Sequence, residues 1–153
     1  VDGTYPIASC TVLWKKECFD EIRFNETLMY AEEWECYINI ILKGFKGVFI
    51  NNVLYYNRKH ETSNTGQFWL ENPVQLNSQK KAIELVAINI NNKDLLTDSI
   101  SRYLLNLTIS IRDYNLTKRI LKIANKRTRV KLFYSFNLLT SAPTASSFFS
   151  KAS

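Results

Sequence analysis

Residues 31–57 read AEEWECYINIILKGFKGVFINNVLYYN, and the fold turns on how that stretch divides. Its first part, Ala31 to Lys43, repeats apolar residues at helical spacing, which predicts Trp34, Tyr37, Ile38, Ile41 and Leu42 on one side of a helix. Gly44 follows where a helix can end by turning into the left-handed region, a conformation that glycine enters without a side-chain clash. Beyond it the apolar residues become continuous, first over Lys46 to Ile50 and then, after Asn51-Asn52, over Val53 to Asn57. β-Branched and aromatic residues dominate both runs, so the pattern predicts two strands about a turn, with Tyr55 and Tyr56 packing in the core. A helix leading into strands makes the expected fold class mixed α/β.

On the N-terminal side, residues 1–13 read as an extended entry, because Tyr5-Pro6 opposes a helix. Lys15 to Ile22 then predicts a short helix, closed by a turn at Phe24-Asn25-Glu26. On the C-terminal side, Arg58 to Gly66 is polar and reads as a loop. After Pro73 the character changes. Leu76 to Ile90 and Asp94 to Tyr114 predict two helices separated by Asn91-Asn92, and Leu116 to about Leu139 predicts a third. Ser141 to Ser153 is rich in Ser and Ala and reads as a flexible tail. The expected organisation is an α/β portion over 1–72, a helical subdomain over 73–140 and the tail.

The 153 residues suffice for one ordinary domain, and 46% hydrophobic against 22% charged is the balance of a globular protein. With 4 glycines and 3 prolines, a turn-rich β-sandwich is disfavoured. The longest apolar stretches, Tyr37 to Leu42 and Leu104 to Ile111, are too short to span a bilayer. Cys10, Cys18 and Cys36 form no CxxC pair and His60 is the single histidine, so a structural zinc site lacks ligands and buried, reduced thiols are expected. No basic-then-apolar leader precedes Val1, which predicts a cytoplasmic location, and the Val start predicts a fragment of a longer chain.

Charge is concentrated. Lys118, Arg119, Lys122, Lys126, Arg127, Arg129 and Lys131 lie between residues 115 and 139 with no acid among them. Taking those seven from the 20 bases leaves 13 against 14 acids, so the net +6 belongs to this segment. A solvated helix face explains it most simply. Because Ile120, Leu121, Ile123, Leu132, Phe133 and Phe136 interleave with the bases, residues 118–131 also suit an anionic membrane surface. A nucleic-acid surface is disfavoured, since no recognition motif accompanies the charge.

Five short pieces in order set the functional expectation. Phe24-Asn25-Glu26-Thr27-Leu28 is followed by Glu32-Glu33-Trp34-Glu35, by Lys43-Gly44-Phe45-Lys46, by Asn52-Val53-Leu54-Tyr55-Tyr56 and by Arg58-Lys59-His60-Glu61-Thr62-Ser63. The series resembles the acceptor-side, C-terminal portion of family-2 glycosyltransferases of the GT-A fold, over roughly 60 residues by this alignment of motifs to the chain. The resemblance implies inverting transfer from a nucleotide-diphosphate sugar to a saccharide or lipid-linked acceptor, in the synthesis of a bacterial surface polysaccharide. It implies a carboxylate base at the helix start, Glu33 or alternatively Glu32, where the family carries Asp. Trp34 would lie against the acceptor, and Arg58, His60 and Ser63 would hold the donor pyrophosphate, with His60 also a candidate metal ligand. The family's nucleotide-binding half and its DxD motif, which carries Mg²⁺ or Mn²⁺, have no counterpart in this sequence. The chain alone is therefore expected to be inactive. A non-catalytic module that docks on a partner carrying the donor half is the alternative reading.

Overall fold

The computed structural model describes residues 9–56 and 60–124. Two short 3₁₀ turns, Ser9–Thr11 and Lys16–Phe19, precede five α-helices. These are α1 (Glu32–Leu42), α2 (Asn64–Trp69), α3 (Pro73–Asn92), α4 (Asp98–Ser110) and α5 (Tyr114–Ala124). Among the described residues there is no strand, so the expectation of an α/β GT-A fragment is corrected to an all-helical architecture.

The two predicted strands fail for a physical reason. A strand exists only through a neighbouring ladder, and a lone two-stranded hairpin is marginal in water. Both runs are apolar on both faces, and the described chain offers no layer to cover either one. Residues 45–56 consequently belong to neither helix nor sheet, and Tyr55 and Tyr56, expected in the core, are 46% and 88% exposed.

α3 is the central element, touching α1, α2, α4 and α5, while α4 and α5 also pack on each other. Ile83, Val86, Ala87 and Ile90 of α3 meet Ile38 of α1, Leu104 and Leu105 of α4, and Leu116, Ile120 and Ala124 of α5. Fully burying each such aliphatic side chain contributes about 1.5–3 kcal/mol, which makes this cluster the main source of stability. A second cluster of Cys18, Ile22, Cys36, Tyr37 and Ile40 gathers Trp14 and Phe19 on the other side of α1. Tyr37 thus faces away from Trp34 and Ile38, and Ile41 is substantially exposed, which corrects the single-sided reading of this helix. Its 11 residues are apolar on two sides because two different layers pack there.

Capping explains where the helices lie. Asn72 accepts from the Val74 amide at 3.0 Å and Pro73 opens α3, so that helix begins three residues before the predicted Leu76. Thr97 caps α4 through the Ile100 amide at 3.3 Å, and Asp113 caps α5 through the Leu116 amide at 2.8 Å. Gly44 takes the left-handed conformation expected after α1, with φ +95°. The same position after α2, α3 and α4 is filled by Glu71, Asp94 and Arg112, at φ of 57°, 60° and 54°. The next residue in each case donates back to a carbonyl five positions earlier: Asn72 to Gln67, Leu95 to Ile90 and Asp113 to Thr108. α3 therefore runs through Asn91-Asn92, and the break falls on the residues that follow.

α5 is fastened to α3 by charge as well as by its apolar face. Arg119 donates to both carboxylate oxygens of Glu84, at 2.7 and 3.1 Å, and Lys80 pairs with Asp113 at 2.9 Å. The predicted third helix is described as far as Ala124. Lys126, Arg127, Arg129, Lys131 and the tail lie outside the described residues.

Candidate functional site

The site forms where the chain enters α1. No side chain caps this helix; instead Ser78 of α3 holds the residues before it. The Met29 and Tyr30 amides both donate to Ser78 Oγ at 2.9 Å, and Ser78 donates to the Tyr30 carbonyl at 2.7 Å. The next residue, Ala31, has φ +62°, a left-handed conformation unfavourable for a residue with a Cβ. Strain of this kind persists where surrounding contacts over-determine it, and here the Ser78 clamp does so. The sharp bend delivers Glu32, Glu33 and Glu35 into the first turn of α1, where the helix dipole favours negative charge.

Glu33 and Trp34 line an open cleft of about 200 Å³, together with Tyr30, Ala31, Thr65, Gln79, Tyr103 and Leu107. Four helices contribute. Trp34 meets Tyr103 edge to face, with centroids 6.5 Å apart at 74°, and Tyr30 stacks on Phe68 at 4.9 Å and 15°. Burial holds the Tyr30 phenol above its ordinary pKa, an effect that Thr65 beside it partly offsets. The lining combines aromatic rings with a carboxyl, an amide and hydroxyls, so it offers both apolar faces and hydrogen-bonding groups. At about 200 Å³ it is smaller than the roughly 300 Å³ at which drug-sized pockets begin.

Glu33 is half-buried, and burial pushes its carboxyl above the usual carboxylate range. Its own backbone amide opposes that shift, while the Glu32 carboxylate beside it reinforces it. Glu32 has a buried oxygen, Oε2, with no hydrogen-bond partner. The third acid, Glu35, is occupied structurally: its Oε1 accepts from Asn39 at 2.6 Å and from Asn89 of α3 at 3.4 Å, and Asn89 donates to Asn39 Oδ1 at 2.9 Å. Residue 35 is thus a strut between α1 and α3, whereas residue 33 opens on the cleft.

The predicted pyrophosphate group is arranged differently from Glu32, Glu33 and Trp34. Arg58 lies outside the described residues. His60 is exposed, with Nδ1 2.9 Å from Thr62 Oγ1. The Ser63 hydroxyl accepts from the Gly66 amide at 3.0 Å and donates to the His60 carbonyl at 2.7 Å, so it serves as the N-cap of α2. The segment expected to be a loop therefore starts a helix at Asn64, and Thr65 of that helix reaches the cleft. Among the described residues no three His, Cys, Asp or Glu side chains come together as a metal ion would require, and His60 has no such companions.

Tyr30, Thr65, Gln79, Tyr103 and Leu107 complete the cleft without having been singled out by sequence. Tyr103 and Leu107 share an i, i+4 spacing that reads as core, and Gln79 reads as an ordinary polar helix position. The adjacency of Tyr30 to the acidic pair is the one signal that sequence offered. No family model, curated protein or solved structure matches the chain.

Proposed function

We propose that the cleft at the start of α1 is a saccharide-acceptor site, and that Glu33 is the general base of an inverting sugar transfer. The observation that carries this reading is the position of Glu33: a half-buried carboxyl with a raised pKa, in a small cleft walled by Trp34, Tyr30 and Tyr103. The motif series around it, which resembles family-2 glycosyltransferases, supports the same reaction class.

In this mechanism an acceptor ring lies against Trp34, and Gln79 hydrogen-bonds its hydroxyls. One acceptor hydroxyl is held at Glu33. As that oxygen bonds to the anomeric carbon of a nucleotide-diphosphate sugar, its proton passes to the Glu33 carboxylate. The bond from the anomeric carbon to the diphosphate breaks on the opposite face, and the diphosphate departs with the electron pair. A raised pKa makes Glu33 the stronger base. Glu32 beside it destabilises the second negative charge and so favours proton uptake. Donor binding, and the Mg²⁺ or Mn²⁺ expected with it, belong to a polypeptide portion that supplies the nucleotide site. Among the described residues no three His, Cys, Asp or Glu side chains gather as a ready-made cage for that metal.

No described helix is long and apolar enough to cross a membrane. A peripheral place at the cytoplasmic face, where lipid-linked acceptors are met, is supported by the bases of α5. Lys118, which lies 4.3 Å over the Tyr114 ring, and Lys122 are both exposed there.

The test has two parts. Saccharides titrated into the chain should perturb the resonances of Trp34 and Tyr103, and Glu33→Gln should preserve that binding. Combined with a polypeptide that supplies the nucleotide-sugar site, and given nucleotide sugar and acceptor, the Glu33→Gln chain should show no transfer while Glu32→Gln retains part of it. Transfer that survives Glu33→Gln refutes the base. Absence of any saccharide response refutes the acceptor site and leaves a non-catalytic module.

A further inference from the structure

Two buried oxygens beside the cleft have no donor: Glu32 Oε2 at the start of α1, and Gln75 Oε1 on α3. Gln75 lies one helical turn before Gln79, which lines the cleft. Its Nε2 is 3.5 Å from Oδ1 of Asn64, the neighbour of the lining residue Thr65. Both orphaned atoms are acceptors, and a buried acceptor left without a donor carries its full desolvation cost.

Charge at the same place is one-sided. Glu33 lines the cleft and Glu32 adjoins it, while no Lys, Arg or His is among the described residues that line it. The nearby bases are engaged elsewhere or stand off the lining. Lys80 pairs with Asp113 at 2.9 Å, Lys81 donates to Thr27 Oγ1 at 2.7 Å, and Arg102 does not line the cleft. The dipole of α1 supplies roughly half a positive charge, less than the two acids carry. Burial is the main reason that Glu33 and the Tyr30 phenol titrate high, and the charge of Glu32 adds to it at both.

Donors and positive charge are therefore what a ligand would bring to this cleft. A hydroxyl supplies a donor without charge, and a carboxylate supplies neither. A protonated amine supplies three donors and a positive charge, and aromatic rings such as Tyr30, Trp34 and Tyr103 favour a cation. We infer that the acceptor held here carries a protonated amine, as an amino sugar does, set against the Glu32–Glu33 pair. The inference rests on the acceptor-site reading of the cleft and names its substrate class. The two carboxylates then divide the work: Glu33 takes the attacking hydroxyl, and Glu32 balances the ammonium beside it.

The experiment follows the Trp34 and Tyr103 resonances as methyl glucosaminide, methyl glucoside and methyl glucuronide are titrated into the chain, at a pH where the amine is protonated. The amino glycoside should bind about five- to tenfold tighter than the neutral one, the scale of one partly buried ion pair, and the glucuronide should bind weakest. That advantage should shrink in Glu32→Gln, whose helices circular dichroism verifies, and in the native chain at about 1 M salt. Equal affinity for the amino and neutral glycosides, or a preference for the glucuronide, overturns the amine inference and leaves the acceptor site standing. An advantage that salt leaves undiminished, or that persists in full in Glu32→Gln, also overturns it. No response to any of the three glycosides overturns the acceptor site itself, and this inference with it.

Discussion

Removing the Asp113 carboxylate would separate two jobs that one side chain performs for α5. Oδ1 accepts the Leu116 amide at 2.8 Å, and Oδ2 lies 2.9 Å from Lys80 Nζ, with side-chain exposures of 19% for the acid and 32% for the base. Losing an N-cap costs about 0.5–2 kcal/mol, and a partly exposed ion pair contributes about 0.2–1 kcal/mol. Asp113→Ala should therefore destabilise the fold by about 1–3 kcal/mol. Asp113→Asn keeps an oxygen for the Leu116 amide and gives up only the charge, so it should lose under about 1 kcal/mol. The Leu116 amide first, and then Lys80, hold the Asp113 carboxyl below its ordinary pKa. A carboxyl depressed in the folded state stabilises the fold above its unfolded pKa of about 3.9, and that contribution disappears as pH falls through the folded value. The gap between the native chain and either variant should accordingly narrow in acid. Urea unfolding followed by circular dichroism across that range measures it. Equal losses for Ala and Asn, or a gap that does not change with pH, would refute the reasoning.

Three other outcomes are expected. Ser78→Ala removes the hydroxyl that holds Met29 and Tyr30, and should cost about 1–3 kcal/mol while weakening saccharide binding at the cleft; unchanged binding would show that the bend at Ala31 stands without the clamp. Gly66→Ala would set a Cβ 2.4 Å from the Glu61 carbonyl oxygen and 2.5 Å from that of His60, so α2 should be displaced, with loss of the Tyr30–Phe68 stacking in nuclear Overhauser spectra. Burial pushes the Cys36 thiol up to about 11, whereas Cys10 is exposed. Mass-mapped alkylation of the native chain at mildly alkaline pH should therefore label Cys10 and spare Cys36 until denaturant is added.

The helices were legible in proportion to how far local chemistry decides them. α1 and α4 carry apolar residues at helical spacing, and the entry into α3 is written in Asn72-Pro73. Less legible were their ends, because Glu71, Asp94 and Arg112 occupy left-handed positions where a glycine would have announced the stop. α2 has 6 residues, too few for periodicity to show, and its Ser63 cap sits in a polar stretch that reads as loop. The strand prediction over 46–57 went wrong because β-branched and aromatic residues describe what a strand would need, while pairing depends on a partner that sequence does not display. At the cleft, Glu32, Glu33 and Trp34 were visible as neighbours in sequence. Thr65, Gln79 and Tyr103 were not, since packing of α2, α3 and α4 brings them there from tens of residues away.

α1 is sandwiched between two apolar layers, sending Ile38 to one and Cys36, Tyr37 and Ile40 to the other. Such a helix acts as a shared beam. Neither layer can loosen without withdrawing support from α1, so the 3₁₀ region before it and the bundle after it are bound into one cooperative unit. Amide exchange in α1 should then proceed only through the rarest, global opening, although the cleft lies at its first turn. A ligand at Glu33 would then rest on a helix that opens only together with both layers.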